Sequence, residues 1–203
     1  MVTGSNKIGN RIMNNKKYQV IYADPPWSFN SKKTGGSMKS GAAAQYDTMS
    51  IEDLKAMPVS GITADDAILI MWYVGSQPQE ALDLAKAWGF KVKNMNGFVW
   101  GKLTVKLLKF FGMGFYTRAG TESALIAIKG KAGNIIINHS VRAYREAVVS
   151  KHSKKPVEFR DDIVKMCGDV SRLEMFARES SAGWDVFGNE VDNSILIGGK
   201  DED

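Results

Sequence analysis

The chain has 203 residues, 44% hydrophobic and 24% charged, which suits one domain with a sizeable core. Its formal charge of +5 favours a polyanionic partner, while a single cysteine, Cys167, excludes an internal disulfide and a cysteine-built zinc cluster. The two histidines, His139 and His152, stand at no metal-ligand spacing, and no leader, membrane-length apolar run or internal repeat is visible, so the expectation is a soluble cytoplasmic protein without metal.

Residues 1–17 are polar and rich in Asn and Lys, a loosely packed lead-in. Tyr18 opens a short apolar run (Val20, Ile21, Tyr22, Ala23) that reads as a buried strand and stops on Asp24-Pro25-Pro26-Trp27. Each proline fixes φ near −65° and removes an N–H, so the chain must leave the ladder there. The result is a carboxylate, a stiff turn and an indole just beyond a strand end, where open α/β sheets bind ligands. A carboxylate and a freed carbonyl can each accept one N–H of an exocyclic nucleobase amine, aim its lone pair and stabilise the charge that develops on transfer. The indole offers a face for the base. The plainer alternative makes Asp24 a surface residue and Trp27 a core plug.

Residues 28–44 are rich in Gly, Ser and Lys, either a surface loop or a lid whose Lys32, Lys33 and Lys39 meet phosphates. Tyr46 precedes Ser50, which with Asp53 predicts an N-capped helix to about Met57, ended by Pro58. The run 67–74 reads as a central parallel strand, 77–88 as a helix capped by Gly89, and 90–100 as the next strand. Lys102 follows, either meeting a phosphate or solvated. Residues 103–118 interleave basic and aromatic side chains, which fits a nucleic-acid groove or rings packed under the sheet. Glu122 precedes a strand over 123–129. Lys155 precedes Pro156, which is expected in the first turn of a helix, and 171–176 reads as another strand. Residues 194–203 end in an acidic tail expected to be disordered.

DPPW after an apolar strand resembles the signature of the MT-A70-like family of S-adenosylmethionine-dependent N6-adenine methyltransferases. Further matches follow in order: Tyr46-Asp47-Thr48-Met49-Ser50, Trp100-Gly101-Lys102, Gly114-Phe115-Tyr116 before Thr121-Glu122, Ser150 to Pro156, Glu174-Met175-Phe176-Ala177-Arg178, and Trp184 to Glu190. Similarity covers about 18–191; Ala177 stands where glycine is frequent, and the bulky extensions of eukaryotic members are missing.

The resemblance implies a Rossmann-like class I methyltransferase: an α/β, doubly wound, mostly parallel seven-stranded sheet, permuted so that the catalytic half precedes the cofactor half. By the same resemblance Asp24, Pro25, Pro26 and Trp27 are catalytic, and Asp24 also meets the cofactor. Lys155 holds the cofactor carboxylate, Glu174, Phe176 and Arg178 contact the cofactor, and Asn189 and Glu190 hold its ribose. Trp27, Tyr46, Lys102 and Glu122 line the base pocket. The cofactor would be S-adenosylmethionine and the partner nucleic acid, DNA ahead of RNA, with a homodimer possible. In duplex DNA the adenine must leave the stack, because N6 is engaged in pairing. RNA methylation, a catalytically silent nucleic-acid-binding subunit and methylation of a cytosine amine remain as alternatives.

Overall fold

The computed structural model describes residues 16–28, 48–114, 116–150 and 154–197. The lead-in, the lid with Lys32, Lys33 and Lys39, Tyr46, Phe115, His152 and the end of the tail lie outside the described residues.

The strand Tyr18–Ala23 (β1) is the axis of the fold. It lies between two parallel neighbours, Thr63–Tyr73 (β2) and Arg172–Met175 (β6), so both its edges are paired and both its faces are covered. That is why its apolar run is continuous rather than alternating. Tyr18, Ile21 and Ala23 enter one core, with Leu54, Ala81, Leu84 and Trp88; Val20 and Tyr22 enter the other, with Phe159, Ile163 and Met166.

The sheet has seven strands in the order β5-β3-β4-β2-β1-β6-β7, completed by Lys91–Leu103 (β3), Thr121–Lys129 (β4), Tyr144–Val148 (β5) and Asp185–Phe187 (β7). Only β4 runs against the rest, antiparallel to β2 and β3, while the other pairings are parallel. The mostly parallel, doubly wound α/β sheet is therefore present. The run 67–74 is central, but parallel on one edge only, because β4 turns back beside it.

The helices Ile51–Ala56 (α1) and Pro78–Ala87 (α3) cover one face, with the single turn Val59–Ile62 (α2) between them. Ser50 caps α1 as expected: its Oγ accepts from the Asp53 amide at 3.1 Å. Trp88 ends α3 and donates its indole N–H to Leu54 at 2.9 Å, tying the two helices, and Gly89 then takes φ +86°. The other face holds Glu158–Cys167 (α4). It begins later than the sequence suggests. Pro156 lies before the N-cap Val157, and its carbonyl receives the Phe159 amide at 3.3 Å. Among the described residues no helix is long and apolar enough to cross a membrane.

Candidate active site

The site is built where β1 ends. In the Asp24-Pro25-Pro26-Trp27 turn the Trp27 amide donates to the Pro25 carbonyl at 2.8 Å, and the Met49 amide to the Pro26 carbonyl at 3.0 Å. The segment before α1 is thereby stitched to the turn. The Pro25 oxygen keeps a second lone pair, since a carbonyl accepts two hydrogen bonds.

Of the two readings of Trp27, stacking face or core plug, the structure shows the core plug. Its ring is 7% exposed, lies in the core, and donates its indole N–H to the Trp72 carbonyl at 3.1 Å. A buried donor needs a partner, and this one fixes the ring as an anchor of the turn. Trp72, as its apolar surroundings predicted, is core. Its own N–H meets the Tyr22 hydroxyl at 2.7 Å, and burial raises the Tyr22 pKa, keeping the phenol protonated.

Around Asp24 the structure brings together three residues far apart in the chain. The Lys155 ammonium lies 2.7 Å from Asp24 Oδ2, 3.2 Å from Glu122 Oε2 and 5.5 Å from the centroid of the Trp72 ring. Glu122 in turn is paired with Lys102. Carboxylate and ammonium therefore alternate from Lys102 through Glu122 and Lys155 to Asp24. Burial opposes the charge on Lys155, but Asp24 and Glu122 outweigh it and raise its pKa. Burial also pushes Glu122 up, yet Lys155 and Lys102 together hold it below the usual carboxylate value. Both chain members are ionised near neutral pH. Lys102 is thus not simply solvated: paired with Glu122, it sits over the Trp100 and Phe110 rings at 5.2 and 5.8 Å. Glu122 is likewise no surface residue.

The second half of the site comes from β6 and β7. Phe176 leaves β6 at φ +61°, a left-handed backbone that non-glycine residues seldom adopt. Ala177 donates to the Phe187 carbonyl at 3.0 Å, and a side chain at Gly188 would meet the Ala177 oxygen at 2.1 Å, so only glycine fits there. This close crossing sets Arg178 beside Glu190, with Nε to Oε1 at 3.9 Å. Asn189 and Glu190 are exposed at the end of β7.

The cleft between the halves is lined by Tyr22, Asp24, Lys154, Lys155, Arg160 and Glu174, with Phe176, Arg178 and Glu179 completing it. Of these, Arg160, Lys154 and Glu179 were not anticipated. Arg160 is 6% exposed on α4 and reaches Glu174 at 3.1 Å, Glu179 at 2.7 Å and the Ser181 hydroxyl. The signal was present: it follows Phe159 on the face of α4 that also buries Ile163 and Met166, where a cation must find a carboxylate. Burial pushes the Glu174 carboxyl up to about 7 against the pull of Arg160. Among the described residues no group of three or more His, Cys, Asp or Glu is placed to hold a metal ion.

Comparison with known proteins agrees with this geometry. A profile of the MT-A70 family matches residues 18–190. The chain is 36% identical over 197 residues to the type II methyltransferase M.MunI of a Mycoplasma species, spanning 90% of this chain and 82% of that protein. It is 24% identical over 192 residues to an N(6)-adenosine-methyltransferase MT-A70-like protein of Drosophila melanogaster, across 89% of this chain and 28% of the relative. With the N(6)-adenine-specific methyltransferase METTL4 of Mus musculus it shares 27% identity over 190 residues, across 87% and 38%. The chain thus spans well under half the length of these two animal relatives.

Proposed function

The chain belongs to the MT-A70 family of S-adenosylmethionine-dependent methyltransferases, and on that premise we propose that it methylates the N6 amine of adenine in DNA. The observation that carries the reading is the DPPW turn at the end of β1, with Asp24 ion-paired to the buried Lys155 at 2.7 Å. DNA comes ahead of RNA because M.MunI, a type II methyltransferase, is 36% identical to this chain and matched over 82% of its length. The order along the chain, DPPW strand first and the E-M-F-A-R strand later as its neighbour in the sheet, supports a permuted fold.

The donor set fits the cofactor chemically. S-adenosylmethionine carries a carboxylate, an ammonium, a ribose diol and a sulfonium, and it supplies the methyl group when bound. Lys155 matches the carboxylate. Glu174 and Asp24 face the cleft as acceptors for positive charge, and Asn189 with Glu190 offers an amide and a carboxylate to the diol. Arg178 braces Glu190, and Phe176 gives the cleft an apolar wall.

On the substrate side, Asp24 accepts one N–H of the amine and the Pro25 carbonyl accepts the other with its spare lone pair. These bonds turn the nitrogen lone pair out of conjugation with the ring and toward the methyl group. The positive charge that grows on nitrogen is stabilised by Asp24 in a site already organised for it; the electron pair of the broken S–C bond would stay on sulfur, leaving S-adenosylhomocysteine, and the amine would shed one proton through Asp24 to solvent. Trp27 acts as a positioning residue, holding the turn through Trp72 rather than touching the base, and Tyr46 is left to border the base pocket. Lys102 and Glu122 hold Lys155 in place.

The test is methyl transfer from labelled S-adenosylmethionine to unmethylated duplex DNA, single-stranded DNA and RNA in parallel. Label in DNA is expected. Label in RNA alone keeps the chemistry and overturns the polymer; no label in any of them with cofactor bound points to a missing partner, and no cofactor binding at all means that the site is misread.

A further inference from the structure

Beyond β3 the chain does something unusual for a soluble domain: it exposes a run of large apolar side chains. Val105 is 82% exposed, Leu107 69%, Leu108 63%, Phe111 75%, Met113 67% and Tyr116 fully exposed. The segment folds back on itself at once. Thr104 donates to the Leu108 carbonyl at 2.8 Å, Leu107 to Thr104 at 2.8 Å, and Phe110 to Lys102 at 3.0 Å, with bridges between Leu103 and Lys109 and between Gly112 and Ala119. The tip is therefore a tight turn carrying Val105, Lys106 and Leu107. Leu107 holds φ +58°, a conformation that non-glycine residues seldom adopt and that turns its side chain outward here.

Three features say what this turn meets. Its base is Lys102, the outer member of the ion chain that ends at Asp24. At about 3.3 Å per residue the tip lies about 10 Å beyond that lysine, the scale of a few stacked base pairs. The segment itself is cationic: residues 103–119 carry Lys106, Lys109 and Arg118 and neither Asp nor Glu; Lys109 is paired with Glu146 of β5, while Lys106 stands at the tip and the Arg118 guanidinium stacks over Phe111 at 4.8 Å. Protein interfaces deplete charge at their cores, whereas a polyanion welcomes cations between apolar groups. Finally, apolar side chains on a cationic frame are the kind that enter between base steps.

Resting on the reading of the chain as a DNA adenine methyltransferase, we propose that the turn at 105–107 is a wedge, which enters the duplex beside the target and fills the gap left by the extruded adenine. Val105 and Leu107 replace the lost stacking, Lys106 and Arg118 meet the flanking phosphates, and Phe111 with Tyr116 supports an unstacked neighbour. The wedge matters only where a base pair must be opened. In a single strand the adenine is already free.

The experiment compares wild type with Leu107→Gly, a replacement that tolerates φ +58° and so keeps the turn, and with Val105→Ala. Initial rates of methyl transfer are measured on one duplex DNA and on its heat-denatured strands. The expected result is a fall of about tenfold or more on the duplex and less than about twofold on the strands, as for loss of a flipping aid. Equal losses on both forms, or unchanged duplex rates in both variants, overturn the wedge while leaving the chemistry intact. Wild type active on unpaired strands only does the same. A homodimer that Leu107→Gly dissolves in sedimentation, with both rates falling together, would assign the patch to a second copy. Wild type inactive on every polymer overturns the functional reading, and the wedge with it.

Discussion

The two walls of the cleft are built differently. On the β1 side every polar group that matters already has a fixed partner: Asp24 with Lys155, Lys155 with Glu122, Glu122 with Lys102, and Trp27 with Trp72. On the β6–β7 side Glu174 is held by Arg160 at 3.1 Å, but the groups beyond the strand ends stand more open, with Asn189 exposed and Glu190 56% exposed and only 3.9 Å from Arg178. The contrast suits the division of labour. A transition-state acceptor must not reorganise when charge develops, so it is held in advance. A cofactor that binds and leaves each turnover is met by groups that can be covered and uncovered.

The difference can be broken deliberately. Replacing Asp24 by Ala removes the amine acceptor, and transfer should fall by about 10³-fold or more while the protein stays folded, read as kcat with thermal unfolding alongside. Lys155→Met comes next. It leaves Asp24 and Glu122 facing each other without their shared cation, a loss of about 2–3 kcal/mol, below that of fully buried pairs because both carboxylates are partly exposed. For a chain of this size that is about 5–10 °C in Tm. Cofactor affinity measured by calorimetry should fall at least about tenfold, since one charge-assisted hydrogen bond contributes about 1.5–3 kcal/mol.

A pH series separates Glu174 from Glu122. Burial raises the folded-state pKa of Glu174 from 4.5 to about 7, so ionising it costs the folded protein up to about 3 kcal/mol. That cost is absent below about 4.5 and grows as pH rises through 7, so stability should decline across this window. Glu174→Gln should flatten the decline in denaturant unfolding measured at several pH values. Glu122 has the opposite sign: Lys155 and Lys102 lower its pKa despite burial, and its contribution is present above the unfolded value and lost as pH falls through the folded one. The smallest effect on stability belongs to Glu190→Ala, within about 0.5 kcal/mol for an exposed side chain, although cofactor affinity should still drop several-fold. A large loss of stability there would erase the contrast between the two walls.

Much of the frame was legible because it rests on local rules. The apolar run of β1 and its stop at two prolines, the Ser50 cap and the glycine after α3 each depend on residues a few positions apart. What the sequence concealed was long-range. Lys102 read equally well as solvated, and only the resemblance put it and Glu122 in the pocket, because the groups that pair them come from β3, β4 and the segment before α4. Trp27 read either as an open face or as a core plug, because nothing nearby in sequence says that the Trp72 carbonyl will claim its N–H. Arg160 went unnoticed since its carboxylates lie on β6 and the loop after it. Short edge strands such as β5 and β7 are set by pairing rather than composition, and β7 was visible only as part of a motif.

The most direct test is the identity of the methylated atom. DNA modified with labelled S-adenosylmethionine is digested and its nucleosides are separated by mass, for wild type and Asp24→Ala. Label is expected in N6-methyl-2′-deoxyadenosine from the wild type and essentially none from the variant. Label on a cytosine amine or ring carbon, or retention of more than about a tenth of the rate without Asp24, would contradict it, because one oriented acceptor is asked to supply well over tenfold.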